Sequence, residues 1–166
     1  TRMAECVHSP SACERKQFAS SRMGRDLLTT ALFPLISPPI LVGTSHLESL
    51  HETNARKQQM HEALETLTCG AAHSKQHQQF ADAVWCGDSN INEHIDGCVH
   101  LPAGWVDAWE VTHHDLTAAP GFTFDVKRNR MLARLDRWAR YHGAQLRLDR
   151  FWVRLPPPPP VGAAPG

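Results

Sequence analysis

With 166 residues, the chain is long enough for one ordinary domain and too short for two comfortable ones. Seventeen basic and 17 acidic side chains cancel, which excludes a global basic field for nucleic acid but leaves a local patch open. A hydrophobic content of 42% makes most of the chain globular, and 11 histidines can add partial positive charge near neutral pH. Five cysteines (Cys6, Cys13, Cys69, Cys86, Cys98) form no CxxC pair and leave an odd count. With no recognisable signal peptide, free thiols in a reducing compartment are the simpler reading. A zinc site from Cys86, Cys98, His94 and His100 fits none of the usual spacings.

Residues 1–17 read as a polar, irregular lead-in. The first strands are expected at Leu27–Leu32 and Ile40–Ser45, both short, apolar or β-branched and bounded by turn residues. Between Leu27 and His46 no charged acid, lysine or arginine occurs, but Pro34, Pro38 and Pro39 interrupt the run, so two strands joined by a proline-rich turn fit better than a membrane span. A helix follows over Glu52–Leu67, its core face marked by Met60, Ala63, Leu64 and Leu67. Glu52 and Arg56 are expected on its outer side, with Cys69-Gly70 closing it. Ala71–Gln79 is a polar loop, and Ala83-Val84-Trp85-Cys86 a buried strand stopped by Gly87-Asp88. Trp105–Trp109 is a short helical or turn element, and Gly121–Asp125 a strand or loop. Gln145–Arg154 alternates as one strand, and residues 156–166 form a Pro-rich flexible tail. The pattern gives an α/β or α+β domain over residues 18–155.

Chemistry gathers where strands end. After Val84-Trp85-Cys86, Gly87 permits a tight exit, so Asp88 sits at a strand end with Asn90 two residues on and facing the same side. A carboxylate there can take a proton from attacking water, and an amide can donate to a phosphate oxygen. Alone, Gly-Asp-x-Asn is equally a plain turn. His46-Leu47-Glu48-Ser49 also follows an apolar strand, across the helix, so the two strands can be sheet neighbours. His46 and Ser49 would then face the same cleft, although Ser49 also reads as an ordinary N-cap. Glu48 is expected to orient its neighbours rather than react.

Thr44–Ser49, Arg56 with Gln59, Gly87–Asn90, Asp107–Glu110, Thr123–Asp125 and Arg147–Arg150 occur in an order that resembles tyrosyl-DNA phosphodiesterase 2 and its plant and algal relatives, in the endonuclease/exonuclease/phosphatase superfamily. Met23–Leu27 also resembles a strand entry of that family. The resemblance implies a four-layer α/β/β/α sandwich, here partial. It implies a phosphodiesterase using Mg²⁺, with Mn²⁺ as the alternative ion, that acts on DNA 5′ ends bearing tyrosyl adducts. The implied setting is DNA double-strand-break repair in the nucleus, with the cytoplasm as the alternative; a monomer is expected, with no membrane association. By motif, Asp88 is the water-activating carboxylate, Asn90 a phosphate-orienting amide, and His46 and Ser49 contact phosphate. Phe124 takes the place of a Trp beside the substrate. Asn92 takes the place of an Arg, losing a charged contact to DNA phosphate. The family's early Gln-Glu, whose Glu binds the metal, is not found in Thr1–Arg25, and its Ser-Asp-His does not precede the prolines, so no metal ligand is assigned and a partial domain is expected.

Other features have plainer readings. His113-His114-Asp115 is a solvated turn lacking a third spaced ligand, and the five tryptophans are core. Arg128, Arg130, Arg134, Arg137 and Arg140 form either an exposed charged helix or a DNA-backbone contact. Asp149 with Arg150 is expected as a buried pair supporting the site. Two alternatives stand beside the leading one. The substrate could be that of an abasic-site nuclease, a deadenylase or a phosphoinositide phosphatase, or the chain could be a non-catalytic fragment.

Overall fold

The computed structural model describes residues 13–34, 38–72, 82–135 and 143–155. In chain order the elements are β1 (Glu14–Gln17), β2 (Asp26–Leu32), β3 (Ile40–His46), α1 (Thr53–Ala72), β4 (Asp82–Asp88), α2 (Glu93–Asp96), β5 (Trp105–Asp107), α3 (Ala108–Thr112), β6 (Phe124–Asp125), α4 (Arg130–Leu135), β7 (Gln145–Leu146) and β8 (Asp149–Arg154). Six strands form one sheet in the order β1-β2-β3-β4-β8-β5, and β6 pairs with β7 in a second, two-stranded sheet. This is the mixed α/β architecture expected from the sequence. The polar lead-in, the 73–79 loop, Trp138 and the Pro-rich tail lie, wholly or for their larger part, outside the described residues.

β3 and β4 are parallel, Ile40 opposite Asp82 through to His46 opposite Asp88, while the other strand pairs of the large sheet are antiparallel. Parallel neighbours need a crossover, and α1 supplies it, packing on both strands it joins. Side chains alternate between the faces. Gly43, Trp85 and Trp152 lie in one cross-strand row on the face toward α1. The two indoles stack with centroids 4.3 Å apart, and Trp85 Nε1 donates to Ser45 Oγ at 2.9 Å. Met60, Ala63, Leu64 and Leu67 of α1 are buried against this face, as the helical spacing predicts. Close approach is possible because Gly43 has no side chain: a Cβ there would meet Leu67 Cδ1 at 2.8 Å.

Several expectations are corrected. The helix runs on to Ala72 rather than closing at Gly70, which lies against Leu41 and so uses its missing Cβ for packing. Arg56 is not on the outer side. It is 1% exposed, because it sits four residues before Met60 on the core face, where its charge is paired. Glu52 instead meets Arg22 at 2.7 Å. Residues 14–17 of the lead-in form an edge strand on β2, with Arg15 paired to Asp26. β4 runs through Gly87 to Asp88. Trp105–Trp109 divides into β5 and the start of α3, capped by Asp107. The strand expected over Gln145–Arg154 breaks at Arg147-Leu148, where Thr123 Oγ1 accepts from both the Leu148 and Asp149 N–H groups.

Among the described residues, no helix is long and apolar enough to cross a membrane.

Candidate active site

The parallel register brings the ends of β3 and β4 level, so His46 and Asp88 stand side by side with Nε2 3.3 Å from Oδ2. Both are partly open to solvent. Leu47 N–H donates to Asp88 O at 2.9 Å, extending the pairing past the last strand residue. The chain then turns sharply. Asn90 adopts φ 50°, a left-handed conformation that Asn tolerates better than most residues. Its backbone N–H donates to Asp88 Oδ1 at 2.9 Å, and its side-chain Nδ2 donates to Leu47 O at 2.9 Å. A carboxamide nitrogen carries two hydrogens, so one remains for an incoming oxygen. Gly87 is required for a different reason: a Cβ there would lie 2.2 Å from Ser45 O, inside the neighbouring strand.

Asp88 and Asp149 are opposite one another across β4 and β8, so His46, Asp88 and Asp149 form one row. The expected buried Asp149–Arg150 pair is therefore overturned. Alternation sends Asp149 to the exposed face and Arg150 to the closed one, where Arg150 binds Asp107 at 3.4 Å and Glu93 at 2.8 Å. Asp107 also takes Arg147 at 2.8 Å and the Trp109 N–H at 3.0 Å. Asp149 adjoins the site as an exposed neighbour of Asp88, not as the buried support expected from the sequence. The signal was present in the strict alternation of Asp149–Arg154.

The other candidate residues make local contacts of their own. Ser49 does not cap α1, which starts four residues later, and its hydroxyl donates to Met23 Sδ at 3.2 Å. Among the described residues it makes no hydrogen bond to His46, Asp88 or Asn90. Asn92 caps α2, its side chain accepting from the His94 N–H at 3.1 Å. Phe124 is half-buried in β6, opposite Leu146. Phe122 is the more exposed aromatic nearby. With Leu116, Pro120, Asn92, Glu93, Glu110, Arg147 and Arg150 it lines a cleft of about 200 Å³.

Glu48 is fully buried and behaves as the orienting residue expected of it. Burial raises its carboxyl, but hydrogen bonds from Gln59, Ser21 and the Arg22 N–H, with Arg25 nearby, outweigh that and hold it below the usual range. Asp96 follows the same balance: burial raises it, while Arg56, Thr53 and the Asn92 N–H hold it lower. Burial pushes the Cys86 thiol up, which leaves it a poor nucleophile. Asp115 accepts from the Thr117 and Ala118 N–H groups at 2.9 and 3.2 Å, the solvated turn read from His113-His114-Asp115. Arg128, Arg130 and Arg134 are exposed, while Arg137 and Arg140 lie outside the described residues.

Among the described residues, no three His, Cys, Asp or Glu side chains are grouped to hold a metal ion. Asp88 and Asp149 offer carboxylate oxygens of the kind Mg²⁺ takes, but the described residues supply no full set of protein ligands for it. The row of His46, Asp88 and Asp149, with Asn90 beside it, offers carboxylates that can accept a proton, an imidazole that can hydrogen-bond, and an amide that can hold an anionic oxygen.

No family model and no curated protein matches the sequence. Solved structures do. TDP2 from C. elegans superposes with a TM-score of 0.67 at 25% identity, over 87% of this chain and 40% of that one. D. rerio TDP2 complexed with single strand DNA product gives 0.63 at 23%, over 93% and 54%. An endonuclease/exonuclease/phosphatase family protein from Bacteroides thetaiotaomicron gives 0.52 at 12%, over 90% and 50%. The chain thus spans 40% to 54% of the length of these three structures. It has the endonuclease/exonuclease/phosphatase fold, with TDP2 crystal structures among its neighbours.

Proposed function

We propose that this chain carries part of a phosphodiesterase site that hydrolyses tyrosyl adducts at DNA 5′ ends, in nuclear double-strand-break repair and as a monomer. The observation that carries the reading is the joined geometry of His46, Asp88 and Asn90 on two adjacent parallel strand ends. Asp88 takes the proton of the attacking water. His46 and the free Asn90 side-chain N–H stabilise charge on the phosphoryl oxygens. The Mg²⁺ that this reading expects would act as Lewis acid when bound, held in part by donors other than the described residues. The TDP2 likeness supports the tyrosyl-DNA substrate over the other substrates of the superfamily. Ser49, Asn92 and Phe124 are the candidate substrate contacts of this reading.

The test is release of tyrosine from a 5′-phosphotyrosyl oligonucleotide, with Mg²⁺ and with chelator. Asp88→Asn should lower turnover by about 10²–10⁴-fold, the worth of a placed general base. Equal turnover by the two proteins would remove Asp88 from this role, and no release by the unaltered protein would overturn the substrate assignment.

A further inference from the structure

We propose that Arg56, acting with Asp96, is a positioning residue for this site: it ties the corner after β3 to the loop after β4 and so keeps His46 level with Asp88 and Asn90. Its catalytic consequence rests on the phosphodiesterase reading, while its geometry does not.

Arg56 spends its guanidinium on two segments. Nη1 donates to Glu48 O at 2.9 Å and Leu50 O at 3.1 Å, both in the corner after β3. Nε and Nη2 donate to Asp96 Oδ2 and Oδ1 at 3.2 and 2.8 Å, and Asp96 lies 40 residues away in sequence. Asp96 in turn accepts the Asn92 N–H at 2.8 Å and the Thr53 hydroxyl, so the grip reaches back to the chain two residues from Asn90. Gln59, one turn along α1, closes the same corner. It accepts the Glu48 N–H at 2.7 Å and donates to Glu48 Oε2 at 3.0 Å.

A second observation points the same way. Leu50 and Asn90 are the non-glycine residues with positive φ among those described, at 61° and 50°. Such conformations persist where surroundings over-determine them. Leu50 O is held by Arg56, and Asn90 is held to Leu47 O. Packing alone would not call for a buried guanidinium, since apolar side chains of similar volume often serve stability as well. What the planar fork adds is fixed direction toward several acceptors at once.

The experiment compares Arg56→Lys, Asp96→Asn and Thr53→Val in the full chain by amide hydrogen exchange and by the NMR signal of the Asn90 side-chain amide. Asp96→Asn should speed exchange of the Leu47 amide about tenfold and shift the Asn90 signal, while Trp85 and Trp152 amides stay within about twofold. In the tyrosine-release assay it should lower kcat about tenfold with KM nearly unchanged, the signature of lost alignment. Lysine keeps the charge of Arg56 but not the fork, so Arg56→Lys should give the same pattern. If it does not fold, Thr53→Val, which removes one hydroxyl donor to Asp96, should give the pattern at smaller amplitude. Exchange that rises uniformly over the sheet, or a Leu47 amide that does not respond, overturns the positioning role. A local Leu47 and Asn90 response in a protein that releases no tyrosine supports the clamp and overturns the phosphodiesterase reading instead.

Discussion

The two faces of the central sheet share one backbone and differ in almost everything else. On the α1 side, the row Gly43–Trp85–Trp152 is sealed, with both indoles fully buried. One residue further along each strand, the row Thr44–Cys86–Phe151 faces the other way, and Phe151 is 60% exposed. Leu28, the β2 neighbour of Thr44, is 40% exposed. The polar row His46–Asp88–Asp149 ends that open face, at the carboxyl ends of the parallel pair, where α/β sheets commonly place ligands. The closed face gives rigidity, and the open face can use it to hold groups that must meet water.

The largest test of this contrast is Trp152→Ala. It removes a stacked, buried indole from the closed face and should cost about 3–5 kcal/mol, read from urea unfolding. A loss below about 1 kcal/mol would mean that this face is not the core.

Gly87→Ala attacks the place where the two faces meet. Its Cβ would press on Ser45 O from 2.2 Å, a backbone atom that cannot rotate away. The expected cost is about 1–3 kcal/mol of overpacking strain. Tyrosine release should fall with it, because Asp88 is the next residue. Full stability with lost release would separate the local geometry of Asp88 from the integrity of the sheet.

Much of the closed face was legible in the sequence, because burial leaves a period. Met60, Ala63, Leu64 and Leu67 announced the helix face, and Ala83 with Trp85 the strand it covers. Arg56 obeyed the same period but was set on the outer side, because charge outweighed spacing in the reading. Its partner Asp96 is remote in sequence, and no local pattern shows such a pair. The same blindness put Asp149 with Arg150, when each strand residue's facing was the better guide. His46, Asp88 and Asn90 stand out in the sequence because each follows an apolar run, and the structure brings the three together. Ser49 and Asn92 stand there too, and the structure gives them other partners.

Acid should test the two sides differently. Glu48 and Asp96 are buried on the helix side and held below their ordinary values of 4.5 and 3.8. Between the depressed folded value and the ordinary one, the unfolded chain binds more protons, so stability rises with pH there. Their contribution is complete above about pH 5 and is lost as pH falls through the folded values. Urea midpoints should therefore be flat from neutrality to about pH 5 and drop below it. Asp96→Asn should lower the plateau and make the acid limb shallower. An acid limb unchanged in Asp96→Asn would remove Asp96 as a source of the pH dependence.

Phe151→Ser asks the smallest effect of all, and the comparison depends on it. A large aromatic at 60% exposure has little apolar area to lose on unfolding, so its removal should change stability by less than about 0.5 kcal/mol. Trp152, the next residue on the same strand, should cost several times more when truncated. That ratio between adjacent positions measures the difference between the faces with strand, register and propensity held nearly constant. A loss for Phe151→Ser approaching that of Trp152→Ala would mean that the open face is packed in solution. Asp88 and His46 would then stand at the edge of a covered layer, and the access of any substrate to them would be set by whatever covers it.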